Sequence, residues 1–113
     1  MLFRSDQQAV ATVAVDSAGL VTTFDDGAEA LFGHPAGRVM GQPMDEVIIP
    51  EPLRQAHHDG MARFLRTREP FLIGRTIEIT ALHADGSVFP VELTLGIASD
   101  DPLVIEATLR RAG

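Results

Sequence analysis

Residues 77–93 read IEITALHADGSVFPVEL, and this stretch decides the fold. Apolar and polar side chains alternate before and after Ala84-Asp85-Gly86, which is the pattern of two half-buried strands. Because both apolar faces must meet one core, paired residue numbers must sum to an even value, so the loop must hold an odd number of residues. A three-residue loop from Ala84 to Gly86, with Gly86 in the left-handed conformation, satisfies this condition. The stretch therefore predicts an antiparallel hairpin.

The rest of the chain places strands on either side of a helical segment. Alternation and turn residues predict strands at 9–16, 20–25 and 103–110. Between them, prolines, glycines and Asp25 or Asp26 as a cap predict short helices ending near Phe32, Gly41 and Ile49, and one longer helix at 51–67. This order implies an α+β domain whose antiparallel sheet carries its helices on one face. We expect one domain over 1–113, with 1–8 as an N-terminal cap segment.

The composition excludes several classes of protein. The chain has no Cys, so it can form no disulfide, no Cys-ligated metal site and no cysteinyl chromophore adduct. Its formal net charge of −7 repels nucleic acid and anionic lipid. It also lacks the run of about 20 apolar residues that a membrane span needs. We therefore expect a cytoplasmic domain that binds neither nucleic acid nor membrane.

His57 is the side chain that stands out as a candidate site. On the predicted helix it lies within the apolar stripe, about 40° from Leu53 and about 20° from Phe64, so it is expected to point inward. An inward imidazole has two interpretations. It can be a core histidine whose nitrogens are satisfied by backbone or water, or it can be the axial ligand of a haem, which requires a neutral imidazole in an apolar pocket.

The sequence offers no catalytic constellation. His57, His58 and Asp59 are consecutive, so on a helix they diverge by about 100° each and do not converge on one metal ion as an i, i+4 pair would. The serines lie in turns or near the termini, and none sits in a G-x-S-x-G motif. A metal-dependent hydrolase that uses Asp59 is thus a weak third hypothesis, and we predict that the domain is not an enzyme.

Taken together, residues 15–19, 24–34, 40–43 and 77–93 resemble a PAS domain, the sensory module of bacterial signalling proteins. The resemblance covers essentially the whole chain and depends on the order and spacing of these motifs. It implies a five-stranded antiparallel sheet wrapped by several short helices and one longer helix. It also implies a dimer and a ligand pocket between the sheet and the long helix.

From residue 50 to residue 90 the chain also resembles the haem-containing oxygen-sensor branch of PAS domains. In that register His57 falls on the position of the haem ligand, and Arg63, Pro70 and Gly74 match as well. The strand Arg that contacts bound oxygen in that branch is replaced here by Ile77. The flavin-photosensor branch does not match, since its adduct-forming Cys and surrounding motif are absent.

The resemblance implies a sensory or interaction module of a bacterial signal-transduction system. It would bind a small ligand or a partner and bias the packing of a homodimer or of an effector such as a kinase. Two alternatives stay open: a haem-based gas or redox sensor with His57 as axial ligand, and a dimerisation domain without a ligand. The sequence identifies no ligand. The expected wall of the pocket is formed by Leu53, His57, Met61, Phe64, Leu72, Ile77, Ile79, Leu93 and Leu95.

Overall fold

The computed structural model describes residues 10–67 and 73–112 and contains one five-stranded antiparallel sheet. The order of the strands across the sheet is β2-β1-β5-β4-β3. The central position of β5 joins the N-terminal hairpin to the C-terminal one, which confirms the predicted architecture. The strands are β1 (Ala11–Asp16), β2 (Val21–Phe24), β3 (Thr76–Leu82), β4 (Val88–Asp100) and β5 (Leu103–Arg111).

Between β2 and β3, the described residues form four α-helices and one 3-10 turn. Asp25 caps the first helix, because its carboxylate accepts a hydrogen bond from the backbone N–H of Ala28 at 2.8 Å. The same carboxylate accepts a second hydrogen bond from the backbone N–H of Thr12 in β1, at 2.9 Å. Gly33 ends that helix in the left-handed conformation, as predicted, with φ 82°. The helices are α1 (Asp26–Phe32), α2 (Ala36–Val39), α3 (Met44–Ile48) and α4 (Arg54–Thr67), with the 3-10 turn at Glu51–Leu53.

The helix predicted at 51–67 is divided in the structure. Its first three residues form the 3-10 turn, in which the Leu53 N–H donates to the Pro50 carbonyl at 2.9 Å, three residues back. Pro50 precedes this turn and Pro52 lies within it, where a missing N–H costs nothing because the first N–H groups of a helix have no partner within it. Leu53 is 44% exposed, more than the other expected pocket residues that the structure describes. Its place in the pocket wall stays a prediction.

The hairpin at 77–93 follows the predicted register. Residues pair from Thr76 with Thr94 to Leu82 with Val88, and the His83 N–H donates to the Ser87 carbonyl at 2.8 Å. The loop therefore holds the three predicted residues, with Gly86 at φ 91°. The strand β4 extends beyond this stretch to Asp100, with a register shift against β5 between Ile97 and Ser99.

The inner face of the sheet, which the helices cover, has two ends of different character. At the packed end, defined by Phe24, Ala28, Phe32, Phe89 and Val91, every side chain is buried. The ring of Phe32 lies 6.1 Å from that of Phe24 and 5.9 Å from that of Phe89, measured between centroids. The open end is defined by Met61, Phe64 and Leu65 of α4 together with Leu95 and Ile97 of β4, and all of these are only partly buried.

None of the helices built from the described residues is long and apolar enough to cross a membrane.

Candidate functional site

The candidate site lies at the open end, beneath α4. Along this helix the partly buried side chains of Arg54, His57, Met61, Phe64 and Leu65 recur at spacings of three, four and one, so they form a single stripe. Met61, Phe64 and Leu65 pack with the buried Val15, Leu103 and Ile105 and with the partly buried Leu95 and Ile97 of the sheet. The side chain of His57 therefore lies on the sheet-facing side of α4, half-buried, as its position in the sequence predicted.

Burial sets the protonation of His57. Loss of solvent around the ring lowers the pKa of His57 below its ordinary value of 6.5. The negative charge of Asp45 opposes this effect and raises the pKa, while His58 contributes a smaller lowering. Because the net direction is downward, the imidazole is neutral at pH 7. A neutral ring presents one N–H donor and one unprotonated nitrogen as an acceptor or a metal ligand.

A polar contact joins α3 to the start of α4, beside His57. Asp45 is a buried charged residue, 6% exposed, and its carboxylate pairs with Nε2 of the largely exposed His58. Nearby, Nε of Arg54 donates to the Ile49 carbonyl at 2.9 Å, and one of its terminal nitrogens donates to the Glu46 carbonyl at 3.3 Å. These contacts anchor the first turns of α4 to α3, while Met61, Phe64 and Leu65 of its later turns pack on apolar side chains of the sheet.

Sequence reasoning missed the role of Asp45. Asp45 and Glu46 read as acidic residues of a helix start or a solvated turn, and Glu46 is indeed exposed. The partner of Asp45 lies thirteen positions away on another helix, and no local pattern announces such a pair. Burial of the carboxylate depends on how α3 and α4 pack, which only the tertiary structure decides.

The structure brings most of the expected pocket residues to the same side of the sheet. Ile77, Ile79 and Leu95 are partly buried on the inner face and border the main core. Leu93 is more deeply placed, with 7% of its surface exposed, and belongs to that core. Leu53 is 44% exposed, as described above, and Leu72 lies outside the described residues. The expected wall of the pocket thus remains a hypothesis, with Leu53 its most exposed described member.

A shallow cavity of about 200 Å³ lies elsewhere, on the outer face of the sheet. Its lining includes a cross-strand row of threonines, in which the hydroxyls of Thr76 and Thr94 are 2.8 Å apart. The Nε of Arg110 donates a hydrogen bond of 3.0 Å to the carboxylate of Glu92, and a terminal nitrogen of Arg110 forms an ion pair with the same oxygen at 3.0 Å. This polar depression differs from the pocket expected under α4. Its full lining is Val10, Thr76, Glu92, Thr94, Thr108, Leu109 and Arg110.

Over residues 10–67 and 73–112 we find no group of three or more His, Asp or Glu side chains that could hold a metal ion.

Comparison with known proteins gives one consistent result. A family model described as the PAS fold matches residues 5–102. A protein of Azorhizobium caulinodans described as uncharacterized is 44% identical over 90 residues, which are 80% of this chain and 12% of that protein. The sensor protein FixL of Bradyrhizobium diazoefficiens is 33% identical over 86 residues, 76% of this chain and 17% of that protein. The chain thus spans less than a fifth of the length of these two relatives.

A solved structure supports the same fold. The crystal structure of the PAS domain of a protein from Colwellia psychrerythraea superposes with a TM-score of 0.72 and covers 97% of this chain and 92% of that one. The sequence identity is 19%, so this likeness concerns the fold alone.

Proposed function

Because the chain belongs to the PAS family, whose domains are sensory modules of signal-transduction proteins, we propose that it is a sensor that binds a small, mainly apolar ligand. The ligand would lie between α4 and the inner face of the sheet, and its binding would change how the domain packs against a partner. No catalytic step is part of this function.

The partial burial of the open end carries the proposal. Leu95 and Ile97 belong to the same strand face as Val91 and Leu93, yet the first two are partly buried and the last two are buried. When another apolar group covers side chains that remain accessible beneath a helix, the free energy falls by about 25 cal/mol for each Å² removed from water. A small apolar molecule supplies such a group.

His57 adds specificity to an otherwise apolar site. Its neutral imidazole can donate one hydrogen bond and accept another. Sites for small molecules commonly combine apolar walls with a few polar groups that fix the orientation of the ligand. We therefore expect a ligand with an extended apolar part and one polar group that meets His57.

The anchoring of α4 suggests how binding would be transmitted. The first turns of the helix are tied to α3 through Asp45 and Arg54, whereas the later turns rest on the apolar side chains of the open end. A ligand beneath the later turns would stabilise one position of that half of the helix and shift the population toward it. In this proposal the shift alters the interface of a homodimer or of an effector such as a kinase domain.

Titration with the fluorescent fatty acid cis-parinaric acid tests the site. We expect the complete 113-residue chain to bind this probe and Met61→Trp to lose the binding, because the indole would fill the space beneath α4. Arg63→Trp is the matched control, since Arg63 is exposed on the same helix and its replacement leaves the inner face unchanged. Equal affinity in both variants, or no binding to the wild type, would contradict the site.

A second candidate function is a haem sensor with His57 as the axial ligand. The half-buried, neutral imidazole and the apolar side chains of the open end fit this use, and His57 would hold the iron. Bound haem would supply an iron that binds a gas or exchanges an electron. Ile77 is apolar and offers no hydrogen bond toward such a gas, so the strand position adds no support.

An absorption spectrum after addition of haemin decides this alternative. The chain has no Trp and no Tyr, so absorbance beyond about 300 nm comes from a bound group. A haem sensor predicts a Soret band that shifts or disappears in His57→Ala. No band, or a band unchanged by that substitution, would remove the alternative. Binding of neither probe, together with a stable dimer, would favour the other alternative, a dimerisation domain without a ligand.

A further inference from the structure

The two edges of the sheet differ in how they are closed. At the β2 edge, the Val21 N–H donates to the Gln42 carbonyl at 2.9 Å, and the Gly41 N–H donates to the Val21 carbonyl at 2.8 Å. The loop between α2 and α3 therefore covers this edge. The opposite edge is β3, Thr76–Leu82, and it pairs with β4 on one side only.

The hydrogen-bond pattern identifies the backbone groups that β3 leaves outward. The His83 N–H donates to the Ser87 carbonyl at the end of the facing strand. In β3 the backbone N–H and C=O groups of odd-numbered residues therefore point toward β4, and those of even-numbered residues point away from it. The Ala112 N–H donates to the Pro90 carbonyl, which agrees, because even-numbered residues of β4 then face β5. The outward groups belong to Thr76, Glu78, Thr80 and Leu82, and no hydrogen bond from another described residue reaches them.

Among the described residues, no bulge and no covering loop protects this edge, and Glu78 is the one charged side chain of the strand. The pairing of β3 with β4 is continuous over seven residues and has no bulge. The strand contains no Pro, Lys or Arg, and its outer-face residues Thr76, Glu78 and Thr80 are exposed. An edge of this length with unpaired N–H and C=O groups is a template for one more strand.

The charges beside the β3 edge indicate what kind of strand could pair with it. Glu78 lies directly opposite Glu92 on the outer face, and like charges in this position destabilise a sheet. Arg110 compensates Glu92 from the other side, with one hydrogen bond and one ion-pair contact, both of 3.0 Å. No ion pair with Glu78 occurs among the described residues. The row across the sheet is thus Glu78, Glu92, Arg110, and no described residue places a cation at its open end.

We propose that the β3 edge binds an extended segment of a partner protein that adds a sixth strand and places an Arg opposite Glu78. Apolar β-branched residues on either side of that Arg would lie beside the partly buried Ile77 and Ile79 on the inner face. The completed row would contain the Arg of the partner, Glu78, Glu92 and Arg110 in that order, so a cation would lie beside each of the two carboxylates. A second copy of this acidic chain fits less well, because its β3 strand brings another Glu78 and contains no basic residue, and its Arg75 lies outside the strand on the face opposite to Glu78.

A pair of synthetic peptides tests the proposal on the complete chain. The probe is Val-Thr-Val-Arg-Val-Thr-Val with blocked ends, and the control peptide carries Glu in place of Arg. We expect the Arg peptide to bind more tightly than the Glu peptide by about threefold to tenfold, in line with cross-strand charge pairs. Hydrogen exchange measured by NMR should slow for the N–H groups of Glu78 and Thr80.

Two variants locate the binding. Thr80→Pro removes an outward N–H while leaving the bonds between β3 and β4 intact, since proline is tolerated where the N–H faces solvent, and it should abolish binding of the Arg peptide. Glu78→Arg should reverse the preference toward the Glu peptide. If the Thr80→Pro variant does not fold, the reversed peptide preference of Glu78→Arg still tests the edge.

Three results would overturn the proposal: no binding of the Arg peptide, equal affinity for both peptides, or exchange protection elsewhere on the sheet. Self-association of the wild type that Thr80→Pro disrupts would make a second copy the occupant instead. The edge lies outside the pocket beneath α4, so Met61→Trp should leave peptide binding unchanged, and the two proposals can fail independently.

Discussion

The two ends of the inner face contain similar residues but differ in how completely those residues are buried. At the packed end, α1 lies against β1 and β2, and three phenylalanine rings fill the space. At the open end, α4 contributes Met61, Phe64 and Leu65, each only partly buried. The helix that covers the packed end is held by a side-chain cap at one end and by Gly33 at the other, whereas α4 is tied to α3 mainly by its first turns.

This difference separates stability from sensing within one sheet. A filled core resists change, because removing contacts from it leaves cavities that do not collapse. A partly filled region has a lower cost of rearrangement and therefore suits a site whose packing must respond to a ligand. The same alternating strands serve both ends, and the covering helices make them different.

A charge placed at either end of β4 should give the largest contrast. Leu93→Asp buries a carboxylate without a partner and should cost about 4 kcal/mol or more, which is most of the stability of a domain near the lower end of the usual range of about 5 to 15 kcal/mol. Leu95→Asp is the matched substitution two residues along the same strand face, where water reaches the side chain, and should cost about half as much. Urea unfolding followed by circular dichroism measures both, and equal losses would show that the open end is as dry as the packed end.

Truncation of one aromatic ring at each end should give the next largest contrast. Phe32→Ala removes a fully buried ring that contacts two others and should lower the free energy of unfolding by about 4 kcal/mol. Phe64→Ala removes a partly buried ring and should cost about 2 kcal/mol. Equilibrium denaturation checks the pair. A larger loss from Phe64→Ala would reverse the assignment of the two ends.

Glycine substitutions sharpen the comparison at the loops. Gly33 has φ 82°, and an added Cβ would lie 2.5 Å from the His83 ring, so Gly33→Ala combines backbone strain with a clash and should cost about 2 to 3 kcal/mol. Gly74, beside the open end, has φ 83° with no atom within 4 Å of such a Cβ. Gly74→Ala should therefore cost only about 1 kcal/mol. Similar melting temperatures for the two variants would refute the role of the His83 contact.

The smallest effect expected is a pH dependence that comes from His57. Its pKa is lowered in the folded state by burial, so the unfolded chain binds the proton more tightly. The contribution of His57 to stability is therefore fully present above its unfolded pKa of about 6.5 and is lost as the pH falls through that value. When the pH is lowered from 7.5 to 5, we expect the free energy of unfolding to fall less for His57→Gln than for the wild type. Parallel stability curves would mean that His57 is not desolvated.

The sequence predicted most of the fold because the governing interactions are local or periodic. Alternation gave the faces of β3, β4 and β5, and the even-sum rule gave the three-residue loop with Gly86. Asp25 and Gly33 announced the ends of α1. The exception was the start of the long helix, where Glu51–Leu53 forms a 3-10 turn in place of the expected α-helical turn and Leu53 is 44% exposed.

The candidate site was predictable only in part. His57 could be assigned to the inner side of α4 because a helix has a fixed period. The burial of Asp45 could not be predicted, nor could its contact with His58, since both depend on the packing of two helices that are separate in the sequence. The expected pocket wall at Leu72 lies outside the described residues and stays a prediction.

The sequence by itself determined the strand faces, the hairpin register, the helix caps and the family, because each follows from side-chain period, turn chemistry or motif order. Tertiary structure alone decided which end of the inner face is filled, which carboxylate is buried and which edge of the sheet is left unpaired. Those properties depend on the order β2-β1-β5-β4-β3 and on where each helix lands on the sheet. Residues that meet there are far apart in the chain, so no local pattern encodes how closely they pack.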